Sequence, residues 1–443
     1  MAAAGSAVGL GNIWRFPVET GDNGGAAFLL VYILSVAALG IPLMVAEFFV
    51  GRYAHSNTAT AYHKLTTNPL EKHIGLIGVI AATLILSYYI VVAGWVLKYM
   101  FMAAEGSFTT TGNATAPDYN TLFNNFASSA WSPVICMAVF ILFSHCSIIL
   151  GVQKGIEKFS KIFMPALFVI MIVLVVFSLF TPGAKDGLTF LFKPDFGKLN
   201  SQSVLCAVGQ SFYSLSLCMG CLCTYASYFG KDVKIVKTAV SISVIDTVVA
   251  IMSGIVIFPA VFSAHIDPQL GPSLVFIALP NAFQQVFGAW PFVSYLVSLL
   301  FYALLVLATL TSVISLHEVP TAYLSEAWHM KRRTAATVVT VFCLALGTLC
   351  SLSMGLLGDI QIFGKNIFDL FDYVTTTLML PLCGIFISLF IGWRVDRAII
   401  VNEVTNRGKL KGSGVRLILI MLKYVAPVLL IATFLNGLGV FDF

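Results

Sequence analysis

Residues 5–12 place three glycines, a serine and an asparagine inside an otherwise apolar segment, reading Gly-Ser-Ala-Val-Gly-Leu-Gly-Asn. In a membrane, unpaired backbone groups are so costly that a broken helix persists only where those groups bind something. Glycine lets a ligand approach the backbone closely. The freed carbonyl oxygens can hold a cation, and the N-terminus of the next half-helix can hold an anion. These residues therefore predict a site for a cation and an anion near the membrane midplane.

A second break is predicted in residues 210–220, which read Gln-Ser-Phe-Tyr-Ser-Leu-Ser-Leu-Cys-Met-Gly. Serines cluster at the centre of an apolar segment, and a glycine closes the cluster. If five segments form each of two inverted halves, the two breaks occupy matching positions, a pattern that marks the substrate site of a transporter. Serines can also serve only to let helices pack closely. The matched pair favours a central binding site.

The composition indicates which elements must position the two breaks. Apolar residues make up 58% of the 443 residues, charged residues make up 10%, and the mean hydropathy is +0.93. About 20 apolar residues span a bilayer as a helix. We predict eleven such segments, at 2–20, 25–50, 74–104, 132–150, 158–181, 203–228, 235–264, 291–326, 334–355, 366–394 and 414–439.

The predicted fold is an all-α polytopic membrane protein with a single domain, 1–443. Residues 1–181 and 203–394 are predicted to form a 5+5 inverted repeat in which helices 1 and 6 are broken, and residues 414–439 to form helix 11.

The positive charges predict the orientation of the chain. The loops at 51–73, 151–161, 229–237, 327–333 and 394–416 carry 18 of the 25 Lys and Arg residues, whereas the loops at 105–131 and 265–290 carry none. Positively charged loops stay in the cytoplasm. We therefore expect a plasma (inner) membrane protein with a cytoplasmic N-terminus and an outer C-terminus. The net charge of +5 reflects this topology, including Lys331, Arg332 and Arg333, and predicts no nucleic-acid partner.

Patterns typical of enzymes and metal sites are missing from the sequence. All nine cysteines fall in apolar segments, which argues against an extracellular disulfide framework. The sequence contains no nucleophile–base–acid set, zinc-ligand spacing or phosphate loop. His145, His265 and His317 stand alone in the sequence and are predicted to be surface or packing residues. We therefore do not expect an enzyme.

Several motifs resemble the neurotransmitter:sodium symporter family, and they follow the family's order along the whole chain. They are Ala-Val-Gly-Leu-Gly-Asn at 7–12, Trp-Arg-Phe-Pro at 14–17, Gly-Ile-Pro-Leu at 40–43, Ser-Tyr-Tyr at 87–89, Thr-Tyr-Ala-Ser-Tyr at 224–228 and Thr-Ser at 311–312. The resemblance implies the bacterial leucine transporter fold and sodium-coupled uptake of an amino acid by alternating access, with no organic cofactor. The alternative is a sensor of the same fold that binds an amino acid without turnover.

The resemblance also implies two sodium sites built from hard oxygen ligands, the type that sodium requires. One set consists of the carbonyls of Gly5, Val8 and Ala308 with the hydroxyls of Thr311 and Ser312. The other consists of the Ala7 carbonyl, Asn12, Ser214 and Asp246. The alternative for Thr311 and Ser312 is that their hydroxyls bond back to carbonyls of their own helix.

Asp246 is a carboxylate in an apolar run, where an unpaired charge is costly and a cationic partner is expected. Chloride-dependent members of the family have an asparagine at this position and a serine one turn later. This chain has Asp246 followed by Ala250. We therefore expect the carboxylate to replace chloride and transport to be chloride-independent. The alternative is a protonated Asp246 that is hydrogen-bonded within the helix bundle.

The expected substrate is a hydrophobic or aromatic L-amino acid. Amine-transporting relatives have an aspartate at the position of Gly9, and glycine leaves that space for the substrate carboxylate, which the amides around Leu10 and Gly11 and the Tyr89 hydroxyl would bind. The ammonium would meet the carbonyls of Ala7, Tyr213 and Ser216, near Ser214. The family positions around the substrate side chain are Ile85, Tyr213, Ser216, Met219, Ser312 and Leu316.

The remaining family positions imply gates on both sides. Arg15 and Asp372 would form an external gate, with Tyr89 and Phe212 as the aromatic lid below it. Glu47 is expected to accept hydrogen bonds from unwound backbone. Tyr228 and Glu326 match positions that meet an arginine ahead of the first break in the family. Because the sequence begins at Met1, four residues before Gly5, we expect both side chains to lack that partner.

Overall fold

Helices make up most of the chain in a computed structural model that describes residues 5, 7–108, 118–151, 156–265, 274–409 and 414–440. Apart from one isolated bridge between Ile362 and Lys365, the described residues contain no strand. The main helices are α1 (a wide π-helical turn Gly11–Arg15 continued by Phe16–Asp22), α2 (Ala26–Ala54), α3 (Ile74–Ala104), α4 (Ser132–Ile149), α5 (Lys158–Leu179), α6 (two pieces, Ser201–Ser214 and Cys221–Ala226), α7 (Ile235–Ser263), α8 (Pro291–Ala327), α9 (Arg332–Leu352), α10 (Ile367–Arg394) and α11 (Val415–Gly437).

Shorter helices connect these segments. They are Thr58–Ala61, Tyr62–Lys64, Pro69–Lys72, Tyr119–Ala127, Ala184–Phe192, Phe196–Lys198, Leu274–Ala278, Leu279–Phe287 and Arg397–Val404. Asparagine or aspartate begins several of them by accepting a backbone N–H of the first turn, as Asn57 and Asn68 do.

Within the described ranges, nine helices are long and apolar enough to cross a membrane. The two predicted segments outside this group are α1 and α6. Neither is a single long helix, because each is interrupted where the sequence predicts a break. The helix α1 begins after the bend at Val8 and Gly9, whereas α6 stops at Ser214 and resumes at Cys221. The nine long helices together with the two broken ones fit the eleven predicted segments.

The break in α6 arises from left-handed backbone conformations at alternate residues. Ser216, Cys218 and Gly220 have φ values of 53°, 63° and 76°, which end a right-handed helix. The freed backbone groups find side-chain partners. The Cys218 N–H donates to Glu47 Oε1 at 2.6 Å, and the Thr58 hydroxyl donates to the Gly220 carbonyl at 2.9 Å. The expected role of Glu47 is confirmed, and the unwound segment is held in place.

The long helix α3 lies at the centre of the packing. It contacts α8, α4 and α9 along its length, while α7 packs against the start of α1, and the second piece of α6 packs against α2. The two breaks are thus enclosed by continuous helices, which keeps their exposed backbone away from lipid.

Candidate functional site

The bend in α1 is stabilised by polar side chains. The Gly9 N–H donates to Asn12 Oδ1 at 3.0 Å, which turns the chain back on itself. The Leu10 N–H donates to the Tyr89 hydroxyl on α3 at 3.3 Å. The Tyr89 hydroxyl also shares a hydrogen bond with the Ser312 side chain. The bend therefore places two hydroxyl groups beside backbone amides.

A small cavity of about 30 Å³ lies between the two breaks. It is lined by Ala7, Gly9, Gly11, Ile85, Tyr89, Tyr213, Ser214, Ser216, Met219, Cys221, Ser312 and Leu316. Every predicted substrate-binding residue except Leu10 belongs to this lining, and Leu10 lies above it in a larger cavity. The sequence analysis did not predict Cys221, and the only indication of its role is that α6 resumes at this residue after the break.

The cavity has a polar side and an apolar side. Hydroxyls of Tyr89 and Ser312 face the bend in α1, whereas Ile85, Met219 and Leu316 form the apolar wall. Gly9 is required here because a Cβ atom at this position would overlap the Ser312 hydroxyl. Any side chain at residue 9 must therefore displace Ser312 or fill the cavity.

A fully buried carboxylate lies on one side of this cavity. Asp246 Oδ1 accepts the Asn12 side-chain amide at 2.7 Å, and Oδ2 accepts the Tyr32 hydroxyl at 2.9 Å. The Ser214 hydroxyl lies 3.0 Å from both carboxylate oxygens. Among the described residues, no lysine or arginine forms an ion pair with Asp246. We call Asp246, Asn12, Tyr32 and Ser214 the Asp246 cluster.

A neutral group of oxygens lies where α8 meets the bend in α1. The Thr311 hydroxyl lies 2.8 Å from the Ala308 carbonyl of its own helix and 3.3 Å from the Val8 carbonyl across the interface. The structure thus brings together three members of the predicted set, and Gly5 lies against Ser160 of α5. We call Val8, Ala308, Thr311 and Ser312 the Thr311 cluster.

The expected external gate differs from the observed contacts. Arg15 Nε pairs with Glu19 at 3.5 Å, and the guanidinium lies 4.5 Å from the centre of the Tyr213 ring. No ion pair joins Arg15 to Asp372 among the described residues, although both line a cavity of about 550 Å³ above the bend. In this conformation Arg15 pairs with Glu19, one turn along the same helix, and faces Asp372 across the cavity, so the external gate stays a prediction.

The predicted lid residue Phe212 lines neither the small cavity nor the larger one above it. The Phe212 ring packs against Gly384 of α10, where a Cβ atom would overlap it, and Leu430 of α11 lies at the same place. The ring therefore lies between α10 and α11. The following residue, Tyr213, lines both the small cavity and the larger one above it. Because consecutive helical residues point about 100° apart, an offset of one position moved the prediction to the wrong face.

The opposite end of the bundle contains a buried ion pair that the sequence analysis did not identify. Both Glu318 oxygens accept hydrogen bonds from Arg332, at 3.0 and 2.6 Å, and the Tyr228 hydroxyl donates to Glu318 at 3.0 Å. Glu326 accepts the Asn57 backbone N–H at 2.6 Å. Tyr228 and Glu326 thus have partners other than the arginine that the family positions imply. A charged residue in an apolar helix was the available signal, because such a residue needs a partner.

Comparisons with known proteins agree with this architecture. A sequence model described as "Sodium:neurotransmitter symporter family" matches residues 1–121 and 118–442. The chain belongs to this family. It is 38% identical over 447 residues to the Bacillus subtilis sodium-dependent transporter YhdH, covering 100% of this chain and 96% of that protein. It is 30% identical over 447 residues to a Haemophilus influenzae sodium-dependent transporter, covering 99% and 96%.

A solved structure shows the same fold. The crystal structure of MhsT in complex with L-phenylalanine superposes with a TM-score of 0.89 and 41% identity, covering 98% of this chain and 97% of MhsT. This member of the sodium:neurotransmitter symporter family is accordingly a sodium-dependent symporter and a multi-pass membrane protein, not an enzyme. The predicted fold class is confirmed.

Proposed function

We propose that this symporter takes up a hydrophobic or aromatic L-amino acid by alternating access, driven by sodium and without a requirement for chloride. The observation that carries this proposal is the cavity between the two breaks, which has backbone and hydroxyl groups on one side and an apolar wall on the other. MhsT, at 41% identity over nearly the whole chain, has been crystallised with L-phenylalanine.

The orientation of the substrate follows from the two sides of the cavity. Its carboxylate would meet the amides of Leu10 and Gly11 and the Tyr89 hydroxyl. Its ammonium would meet carbonyls of the unwound α6 segment, at Tyr213 and Ser216, and that of Ala7. Its side chain would contact the apolar wall, which includes Met219, a flexible residue that adapts to guests of different size.

The Asp246 cluster fits a sodium ion. A buried carboxylate without a cationic side chain needs a positive counter-charge, and the surrounding hydroxyl and amide oxygens are the ligands that a hard cation takes. Asp246, Ser214, Asn12 and the Ala7 carbonyl would hold this ion. Sodium supplies the charge that couples substrate binding to the ion gradient.

The Thr311 cluster supports the proposal of a second sodium. Val8 and Ala308 present carbonyl oxygens to the Thr311 hydroxyl from two different helices, and the Ser312 hydroxyl follows on the same helix. The Gly5 carbonyl would complete the set. Because all of these groups are neutral, the ion here would be held by dipoles alone.

Chloride independence rests on the groups around Asp246. Tyr32 and Ser214 already donate to its carboxylate, and Gln210 donates its amide N–H to the Gly11 carbonyl at 2.9 Å. A fixed negative charge thus uses the donors that a chloride ion would need. Ala250, one turn after Asp246, adds no hydroxyl.

The topology is part of the same proposal. The N-terminus would face the cytoplasm and the C-terminus the outside of the inner membrane, following the distribution of Lys and Arg. Residues 1–181 and 203–394 would form the two inverted repeats, since the broken helices are the first of each set.

Uptake by purified protein in liposomes tests the function. An inward sodium gradient should drive accumulation of labelled leucine, phenylalanine, tyrosine or tryptophan, and dissipating the gradient should abolish it. Sodium-dependent binding without uptake or counterflow would instead identify an amino-acid sensor. Transport of decarboxylated amines as effectively as their parent amino acids would show that the proposed substrate class is wrong.

A further inference from the structure

A lysine and two aromatic rings meet where the end of α10 packs against the start of α11. Lys423 Nζ lies 4.2 Å from the centre of the Trp393 ring and 5.6 Å from that of the Tyr424 ring. The Trp393 indole N–H donates to the Lys423 carbonyl at 3.0 Å, and the two rings meet edge to face with centres 5.7 Å apart. Gly392 allows this approach, because a Cβ atom there would overlap the backbone of Lys423. The packing of the two helices therefore holds the lysine ammonium group against the rings.

This cluster lies on the outer surface of the helix bundle. Trp393 and Tyr424 are 55% and 54% exposed. Only 28% of the most apolar stretch of α11 is buried inside the protein, compared with 72% for the segment that contains α3. Leu417, Ile420 and Val428 continue the exposed apolar surface along α11. The helix α11 is therefore peripheral, and its outer face meets lipid.

The charge at this end of α11 is positive. Arg416 is exposed and precedes Lys423 by seven residues, close to two helical turns, so the two side chains share one side of the helix. Between Glu403 and Asp442 the sequence contains no acidic residue and five basic ones, Arg407, Lys409, Lys411, Arg416 and Lys423. A basic cluster next to the end of a membrane-spanning helix is typical of segments that bind anionic lipids.

The carboxylates on the segments that adjoin the end of α10 already have partners. The pairs are Glu71 with Arg394 at 2.8 Å, Glu403 with Arg52 at 2.6 Å, and Asp396 with the Ala398 N–H of its own helix at 2.8 Å. Among the described residues, no carboxylate forms an ion pair with Arg416 or Lys423. A charge beside lipid needs a counter-charge, and for these two side chains it must come from outside the protein.

We propose that Lys423 and Arg416 bind the headgroup of a phospholipid with a net negative charge, in the leaflet that borders this end of α11. The lipid phosphate supplies the counter-charge, Trp393 and Tyr424 lie at the level of the headgroups, and the acyl chains follow the apolar face of α11. A lysine stem lies along apolar surface while its charged end reaches the headgroups, which brings the Lys423 ammonium towards Arg416, about 10 Å away along the helix. The site is separate from the central cavity and does not depend on the proposed substrate.

The aromatic rings distinguish Lys423 from an ordinary surface lysine. A cation over an indole face is attracted to it, so the ammonium group is positioned before the lipid binds. Lys237, in the first turn of α7, is also exposed, but among the described residues it has neither a ring contact nor an ion pair. Lys237 is therefore the matched control for a basic side chain without a built site.

Native mass spectrometry of the purified full chain tests the site. The protein is titrated with phosphatidylglycerol, which is anionic, and with phosphatidylcholine of the same acyl chains, which has no net charge. We expect tighter binding of phosphatidylglycerol by the parent. Each basic side chain near the headgroups contributes about fivefold, so Lys423→Gln should weaken phosphatidylglycerol binding by about fivefold and Lys423→Gln, Arg416→Gln by about 25-fold. Phosphatidylcholine binding should stay unchanged in both variants, and Lys237→Gln should bind both lipids as the parent does.

Two further variants separate the charge from its position. Lys423→Arg keeps a cation that can lie over the rings and should retain the preference for phosphatidylglycerol. Trp393→Leu keeps the charge but removes its platform, and should weaken phosphatidylglycerol binding without changing phosphatidylcholine binding. If Lys423→Gln and Lys237→Gln lose the same affinity, the effect is one of total charge, and the proposed site is wrong.

Measurements on the parent protein make the test independent of how well any variant folds. Raising the salt concentration should weaken binding of phosphatidylglycerol but not of phosphatidylcholine, because salt screens exposed charges. Inorganic phosphate at the concentration of the lipid should not displace phosphatidylglycerol, because the acyl chains contribute part of the binding. Equal affinity of the parent for the two lipids, a phosphatidylglycerol affinity that does not respond to salt, or displacement by inorganic phosphate would overturn the proposal.

Discussion

The Asp246 and Thr311 clusters each contribute a serine to the lining of the central cavity and differ in how their oxygens are satisfied. Asp246 is a buried carboxyl group that three donors surround, yet no cationic side chain among the described residues balances its ionised form. Thr311 is neutral and already bonds a carbonyl of its own helix at 2.8 Å. The hydroxyl of the second cluster is satisfied within the protein, whereas an ionised Asp246 needs a positive counter-charge from outside it. The Asp246 cluster should therefore depend on a bound cation far more strongly.

Adding a carboxylate beside the neutral Thr311 cluster should remove this difference between the clusters, and we expect it to have the largest effect on amino-acid binding. In Gly9→Asp the new side chain would enter the space of the Ser312 hydroxyl, beside Thr311. It would set a carboxylate against the substrate's own, and like charges at close range cost several kcal/mol. We expect a loss of amino-acid binding of at least about 1,000-fold, measured by competition against a labelled amino acid. Gly9→Ala, which adds bulk without charge, is the control. Equal losses in both variants would show that steric overlap and not charge determines the effect.

Neutralising the charged cluster should have the next largest effect. In Asp246→Asn the sodium ion proposed for this cluster would lose its carboxylate ligand, and removal of one member of a buried charge pair costs about 2–5 kcal/mol. Apparent sodium affinity should therefore fall by about 30-fold or more. Replacing chloride with gluconate should leave uptake by the parent unchanged.

The double variant Asp246→Asn, Ala250→Ser provides the matching test. It removes the fixed charge and restores a hydroxyl one turn later, so uptake should become dependent on chloride. Strong chloride dependence of the parent, or chloride-independent uptake by the double variant at parental sodium affinity, would contradict the assigned role of Asp246.

A change in the apolar wall should separate substrate size from ion binding. Met219→Phe reduces a cavity of about 30 Å³ and replaces no member of either cluster. One methylene of fit in an apolar pocket is worth about 1–3 kcal/mol, so competition by tryptophan and tyrosine should weaken by about 10- to 200-fold relative to leucine. Apparent sodium affinity with leucine as substrate should stay at the parental value. A parallel loss for all three amino acids would place Met219 outside the part of the wall that selects size.

The sequence predicted the fold and the position of the cavity well, because each rests on a strong local signal. Eleven apolar runs and two glycine- and serine-rich interruptions mark the helices and their breaks, and Asp246 stands out as a carboxylate in an apolar run. The structure then places nearly every predicted substrate-binding residue around one cavity. These features are encoded by neighbours in the chain.

The failures concern contacts between helices. Phe212 and Tyr213 are equally aromatic in the sequence, and only the direction of α6 decides which ring faces the cavity. In the sequence Arg332 is one of many basic loop residues, and only the packing of α8 against α9 shows that it pairs with Glu318. His145 and His317 are separated by 172 residues, and nothing in the local sequence of either indicates that both contact the Thr340 hydroxyl.

The Thr311 hydroxyl either binds sodium or bonds only to its own helix, and both functions fit the sequence and the hydrogen bonds. Its substitution has the smallest predicted effect on sodium affinity. Thr311→Val preserves shape but removes one neutral ligand, and a single neutral oxygen contact is worth about 0.5–1.5 kcal/mol. Apparent sodium affinity should fall by about 2- to 10-fold, well below the effect of Asp246→Asn. Thr309→Val is the matched control, since the Thr309 hydroxyl bonds the Leu305 carbonyl of its own helix at 2.6 Å and has no other partner among the described residues. If Thr311→Val and Thr309→Val leave sodium affinity equally unchanged, the Thr311 hydroxyl serves only its own helix, and the Asp246 cluster alone remains as a sodium site that depends on side chains.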